Sequence, residues 1–291
     1  MGRRSCAGGD RLSEPSSGDH VSLHLLGTSL VAPLAGGEGE GFHAPSPEEF
    51  YWPIFGSGDW TFTRPMLMLA LSVVLISVVL IALTKKAAIV PGKGQWMVEQ
   101  AYDFVRNGIA RDVIGSKDFL KYVPLLFSLF VLILVNNLFG IIPPIQYPTM
   151  SRIGFPIALT LIVYAVYHIA GMRRKGVGHY LGGMIPKGLP KPIYLLIVPL
   201  EYATYFIIRP LTLALRLFGN MFAGHMLLLL FILGGEYMLL HGGIGLKITS
   251  IGSFAMALIF TAFEALIQFL QAYIFTLLAA TYIADALAEE H

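Results

Sequence analysis

The stretch LTLALRLFGNMFAGH, residues 211–225, decides how this chain is read. It lies within an apolar run over 193–233, yet it carries Arg216, Asn220 and His225. No Asp or Glu stands within two helical turns of Arg216. An ionised side chain at the centre of a membrane helix costs about 2.5 kcal/mol or more, so such residues mark function by default. The counter-charge of this cation has to come from outside its own stretch.

The surrounding composition is that of an integral membrane protein. Of 291 residues, 55% are hydrophobic and only 13% charged, about half the charge of a soluble domain. Five apolar segments are long enough to span a bilayer: 65–83, about 122–142, about 153–171, 193–233 and 248–284. All are expected to be helical, because an open sheet leaves backbone groups unpaired in lipid. Before them, residues 1–50 are rich in Gly, Ser and Pro and read as a flexible tail. FYWPIFGSGDWTFTRP at 50–65 then brings aromatics suited to a membrane interface. The lone Cys6 excludes an internal disulfide and a cysteine metal cluster.

Loop charge sets the orientation. Loop 84–121 holds seven Lys/Arg and loop 172–192 holds five, against one each in 143–152 and 234–247. The positive-inside rule puts the two basic loops in the cytoplasm, with the N-terminus outside and the C-terminus inside. The first basic loop also contains a helical pattern at about 94–115. There Met97, Ala101, Phe104 and Val105 share a face, as in an amphipathic helix lying on the membrane or docking a partner.

The last two segments are too long. Forty-one residues of helix span about 62 Å, twice the roughly 30 Å hydrocarbon layer. These helices either run steeply inclined or break, and Pro199 and Pro210 permit bends in the first of them. At about 100° per residue, Arg209, Thr212, Arg216, Asn220, Ala223 and Leu227 form one stripe. On the following helix Glu264, Gln268 and Gln271 form a polar edge, with Tyr282 further along it. HGGIGLK at 241–247 suits a reversal between them. An antiparallel hairpin turning near residue 244 pairs positions whose numbers sum to about 488. That single register levels Arg216 with Gln271 and His225 with Glu264.

Plainer readings compete at several of these residues. His225 and Glu264 could be a satisfied pair that locks two helices, and Arg209 could reach the headgroups. His168 follows Tyr164 and Tyr167 near a helix end, which favours an interfacial position. There is no H-E-x-x-H, no Cys/His cluster and no P-loop, so neither metal hydrolysis nor nucleotide binding is expected. A stand-alone secondary transporter would show paired internal repeats, and none is evident. A haem carrier would have to use His168 and His225.

LALRLFGNMFAGH resembles the signature of the a subunit of F-type ATP synthase, the stationary membrane subunit beside the rotating c-ring. The resemblance extends through FEALIQFLQAYIFTLLAATYIADALAEEH, VPGKGQWMVEQAYDFVRNGIARD and FSLFVLILVNNLFGIIPP, and covers about residues 50–291. It implies an all-α membrane protein of about five spans whose last two long helices pair as an inclined hairpin. It also implies a chain with no catalytic chemistry of its own, no cofactor, no metal and no nucleic acid. The implied partners are c-ring proteolipids, peripheral-stalk b subunits, the rest of the synthase and the lipid of an energy-coupling membrane, here a bacterial plasma membrane.

Residue by residue, Arg216 matches the family's essential arginine, Asn220 the asparagine one turn on, and Gln271 the glutamine facing that arginine. His225 and Glu264 match two positions lining the half-channel open to the outside, where some members hold the pair in the reverse order. Gln268 joins that path, and Glu201 resembles a glutamate of the cytoplasmic half-channel. The stripe of Arg209, Thr212, Arg216, Ala223 and Leu227 would face the c-ring. The first 50 residues have no counterpart in the resemblance, and YPTMSRIGFP lacks the Asn/Asp often seen before the third helix.

Overall fold

A computed structural model describes residues 53–55, 62–85, 88–142, 149–184 and 191–288. The tail at 1–50 lies outside them. The aromatic approach to the first span contributes a small antiparallel ribbon, β1 (Pro53–Phe55) and β2 (Phe62–Thr63), with Pro53 opposite Thr63. Among the described residues everything else regular is helical. Five helical runs are long and apolar enough to cross a membrane: Pro65–Thr84, Phe119–Phe139, Gly154–Lys175, Ile193–His241 and Ile244–Leu287.

Helix α1 (Arg64–Thr84) leaves most of its apolar side chains outside the protein core, as a lipid-facing span does. Its fully buried Ser72 receives a 2.9 Å hydrogen bond from Asn136 on α4 (Phe119–Phe139). Asn136 in turn accepts one from Thr149 at 2.9 Å. In lipid a hydrophobic helix gains nothing by leaving hydrocarbon for hydrocarbon, so a buried polar bond is what holds such a span to its neighbour.

Between these spans, α2 (Lys93–Val105), a wider π-helical stretch (Arg106–Arg111) and the short α3 (Asp112–Ile114) form one helical run. The expected amphipathic face is only partly used. Val105, Ile109 and Ala110 are fully buried, and the Phe104 ring lies 5.8 Å from Phe130 and 5.7 Å from Tyr273. Trp96 and Met97, at the other end, stay exposed.

Helix α5 (Gly154–Lys175) packs against both long helices, and the short α6 (Val177–Gly182) folds back on it. Gly171 allows that return, since a Cβ there would sit 2.2 Å from the Tyr180 ring. His168, expected near the interface, is enclosed by the protein. It is buried, with its Nδ1 3.0 Å from the Tyr180 hydroxyl and the rings of Tyr164, Tyr167 and Phe206 packed around it. The cluster of aromatics that suggested an interface closes on the imidazole instead.

The fourth span stays helical throughout and widens ahead of Pro210. Helix α7 (Lys191–Ala203) carries Pro199 and passes into a π-helical turn at Thr204–Ile208 before α8 (Arg209–His241) begins. Pro210 has no N–H to give the preceding turn, and its ring crowds the carbonyl four residues back, so the helix widens there. Helix α8 runs eight residues past the expected end at 233, because nothing stops it before Gly242–Gly243. Helix α9 (Ile244–Leu287) is unbroken over 44 residues, about 66 Å. An apolar rod of that length fits a roughly 30 Å layer only at a steep incline.

Helices α8 and α9 pack along their length as an antiparallel hairpin. Helices α4 and α5 cover the half that contains Leu217, Ala272, Phe275, Ala279 and Ile283, all fully buried. Toward the turn the hairpin is barely covered, and Leu240, Ile244, Ile248 and Leu258 are exposed.

Candidate functional site

The hairpin register places the site. Asn220 donates to Gln271 Oε1 at 2.7 Å, Gln268 reaches Met221 Sδ at 3.7 Å, and Ser253 donates to the Phe231 carbonyl at 2.6 Å. The numbers of these partners sum to within a few of the expected 488. Gly224 permits the close approach: a Cβ there would lie 2.9 Å from Glu264 Oε1. Small residues let two membrane helices come near enough for polar side chains to meet.

Three polar residues of α9 turn inward. Glu264, Gln268 and Gln271 are each at most 5% exposed. Gln268 donates to Glu264 Oε1 at 3.1 Å, one helical turn away, and its backbone carbonyl accepts from Asn137 at 3.3 Å. His225 is buried on the facing side of α8, next to Gly224. The structure therefore gathers Asn220, Glu264, Gln268 and Gln271 into one seam between α8 and α9, lined by α4, and buries His225 one turn beyond Met221 on α8. Several of its atoms keep unused hydrogen-bonding capacity: Glu264 Oε2, Gln268 Oε1 and Gln271 Nε2 are buried without a partner. A seam of this kind can pass protons between side chains and entering water.

Arg216 stands apart from the seam. Leu213, Ala214, Leu217 and Met221 face the core, whereas Thr212, Arg216, Asn220, Ala223 and Leu227 are exposed. Arg216 is thus solvent-accessible along that line. Among the described residues no carboxylate lies within ion-pair distance of it. Its expected neighbour Gln271 instead accepts from Asn220, one turn further along.

Two other expected residues fall elsewhere. Arg209 leaves the stripe, although the heptad spacing puts it on the line of Arg216. Its Nη1 lies 3.1 Å from Asp285 Oδ2, an ion pair by distance that is not aligned as a hydrogen bond, and its guanidinium lies 3.9 Å over the Tyr205 ring and 5.1 Å over Tyr282. The pair borders a cavity that holds about 30 Å³ for water and is lined also by Tyr167, Lys175 and Tyr180. Burial lifts the Tyr180 phenol to about 12, so it stays neutral beside that cavity. Glu201, on α7, is half-buried. Asp285, Asn136 and Asn137 were not anticipated from sequence. The register that sums to 488 levels Arg209 with position 279, so it does not single out Asp285.

The chain matches the family model "ATP synthase A chain" over residues 66–284. It is 45% identical over 266 residues to a protein named ATP synthase subunit a from Nocardioides sp., covering 87% of this chain and 96% of that one. It is 46% identical over 254 residues to one of the same name from Pseudarthrobacter chlorophenolicus, covering 86% and 95%. One from Streptomyces lividans is 40% identical over 260 residues, covering 87% and 91%. With a family match that spans the hairpin and the seam described above, this chain belongs to the ATP synthase A chain family, the non-catalytic, proton-translocating membrane stator of F-type ATP synthase.

Proposed function

We propose that Arg216 acts on a carboxylate carried by a moving neighbour, a proteolipid helix of the c-ring, and that the seam behind it delivers protons to that carboxylate. One observation carries this reading: a guanidinium exposed on an apolar helix face, with no carboxylate of its own described chain beside it. Guanidinium stays charged at any relevant pH, so it relays no proton and separates two aqueous paths. Its field favours the ionised form of an approaching carboxylate. The carboxylate releases its proton to one path as it nears Arg216, moves past, and is reprotonated from the other.

His225, Glu264, Asn220, Gln268 and Gln271 form the path open to the outside. Glu201 serves the cytoplasmic one, reached along the end of the hairpin that carries Asp285. The exposed line of Thr212, Arg216, Ala223 and Leu227 faces the ring, and Arg209 does not. The steep incline of α9 lets the hairpin follow several ring helices at once. Residues 51–291 act as one membrane unit behind the tail at 1–50, and the exposed Trp96–Met97 end of α2 offers a surface for the peripheral-stalk b subunits. The basic loops support a cytoplasmic C-terminus, and Arg174 pairs with Asp118 to join the two loops at one end. The named relatives, all bacterial, support a plasma membrane.

ATP-driven proton pumping in inverted membrane vesicles tests the reading. Arg216→Ala should abolish it while the complex still assembles. Arg216→Lys should fail or nearly fail, because lysine loses its proton when desolvated. Normal pumping by either variant would refute the role.

A further inference from the structure

We infer that Asp285 is a positioning residue that keeps a second arginine off the rotor-facing line, so that Arg216 stands as its sole cation. The inference rests on the role proposed for Arg216. Seven residues separate Arg209 from Arg216, a spacing that drifts by only about 20° around a helix. By backbone placement alone, Arg209 belongs on the same face. Its side chain is nevertheless only 19% exposed, held at 3.1 Å by Asp285 and sandwiched near the rings of Tyr205 and Tyr282. The next charged position on the line is Arg216 itself.

The local backbone assists the turn inward. The π-helical stretch at Thr204–Ile208 ends at Arg209, where the widened helix moves Tyr205 beneath the guanidinium. Asp285 lies on the last turn of α9, where a carboxylate opposes the helix dipole. A position unfavourable in isolation is offset here by the arginine across the seam.

The physical consequence concerns competition. A carboxylate moving along the line meets one fixed cation and passes it. A second unpaired guanidinium two turns away would attract the same carboxylate at the wrong place and hold it there. Pairing with Asp285 removes that attraction, because a neutralised ion pair exerts a much shorter-ranged field than a lone charge. The half-exposed Asp285 leaves the pair accessible to the small water cavity, so neither charge is stranded in a dry site.

The test uses the whole complex in inverted vesicles, with assembly checked by the amount of head retained. Asp285→Asn keeps the shape and removes the charge, and it should lower ATP-driven pumping about tenfold by freeing the cation. Asp285→Glu should pump to within about twofold of the parent, as the opposing charge remains. Adding Arg209→Gln to Asp285→Asn should restore most of the lost pumping. A pair that only braces two helices gives a different pattern: Asp285→Asn then lowers the amount of assembled head in step with pumping, because a stranded buried charge destabilises the fold, and Thr212→Lys leaves pumping unchanged. As a route independent of the pair, Thr212→Lys places an unshielded cation on an exposed position of the same line and should also impair pumping. Pumping at the parent rate in Asp285→Asn or Thr212→Lys, or no rescue in the double variant, overturns the inference. Arg216→Ala in the same membranes reports separately on the underlying role: its failure to block pumping would remove the reading of Arg216, whatever Asp285 does.

Discussion

A guanidinium on the apolar face of a membrane helix carries an insertion cost of about 2.5 kcal/mol or more, and at Arg216 no carboxylate of the described chain offsets it. The chain does supply a carboxylate where it needs one, at Arg209. The two arginines sit two turns apart on one helix, yet Arg209 is enclosed beside its carboxylate and two tyrosine rings while Arg216 is exposed. At the same scale, Glu264 separates a proton carrier from a helix brace. Glu264→Gln retains an acceptor for the Gln268 amide and so preserves the bond, yet it cannot exchange a proton. Passive proton flux through vesicles stripped of the ATPase head should therefore fall severalfold. Flux equal to the parent would leave Glu264 as a brace. These residues were legible in sequence because an ionisable group in an apolar run is rare. Asp285 was not, because an acidic residue six positions from the C-terminus reads as a solvated tail until the facing helix is in place.

Among the elements, the hairpin of α8 and α9 carries the site, and its register depends on backbone approach at Gly224. A side chain there meets Glu264 at 2.9 Å, whereas at Gly234 nothing lies within 4 Å. Gly224→Leu should destabilise the hairpin by about 1–3 kcal/mol, and Gly234→Leu should have little effect. Thermal inactivation of the detergent-solubilised complex measures the difference, and equal loss in both would place the close approach elsewhere. The register itself was readable from the sum rule, because two straight helices joined by a tight turn leave one free parameter. Helix ends were less readable. Composition marks where apolar character fades, but a helix stops only at a breaker, so α8 continues to Gly242. The inward turn of His168 was unreadable for a related reason: aromatic residues at a helix end suit an interface and a buried cage equally well, and only α6 folding back decides between them.

For the whole molecule, the orientation rests on loop charge and on Arg174 joining Asp118 across two loops. Cys6 is the sole cysteine, so in a Cys6→Ser background Gly178→Cys gives a single probe, at a position with open space around it. A membrane-impermeant maleimide should label it in inverted vesicles and not in intact cells, and labelling in intact cells would invert the topology. The position of the hairpin against its rotor is the central issue. Ala223 is exposed on the line of Arg216, two helical turns further along. Ala223→Cys, in the same background and in the assembled complex, should form a disulfide under mild oxidation with cysteines scanned along the proteolipid helix near its carboxylate. An assembled, pumping complex in which Ala223→Cys cross-links to no rotor position would contradict the account, because the face that carries Arg216 would then be turned away from the moving carboxylate.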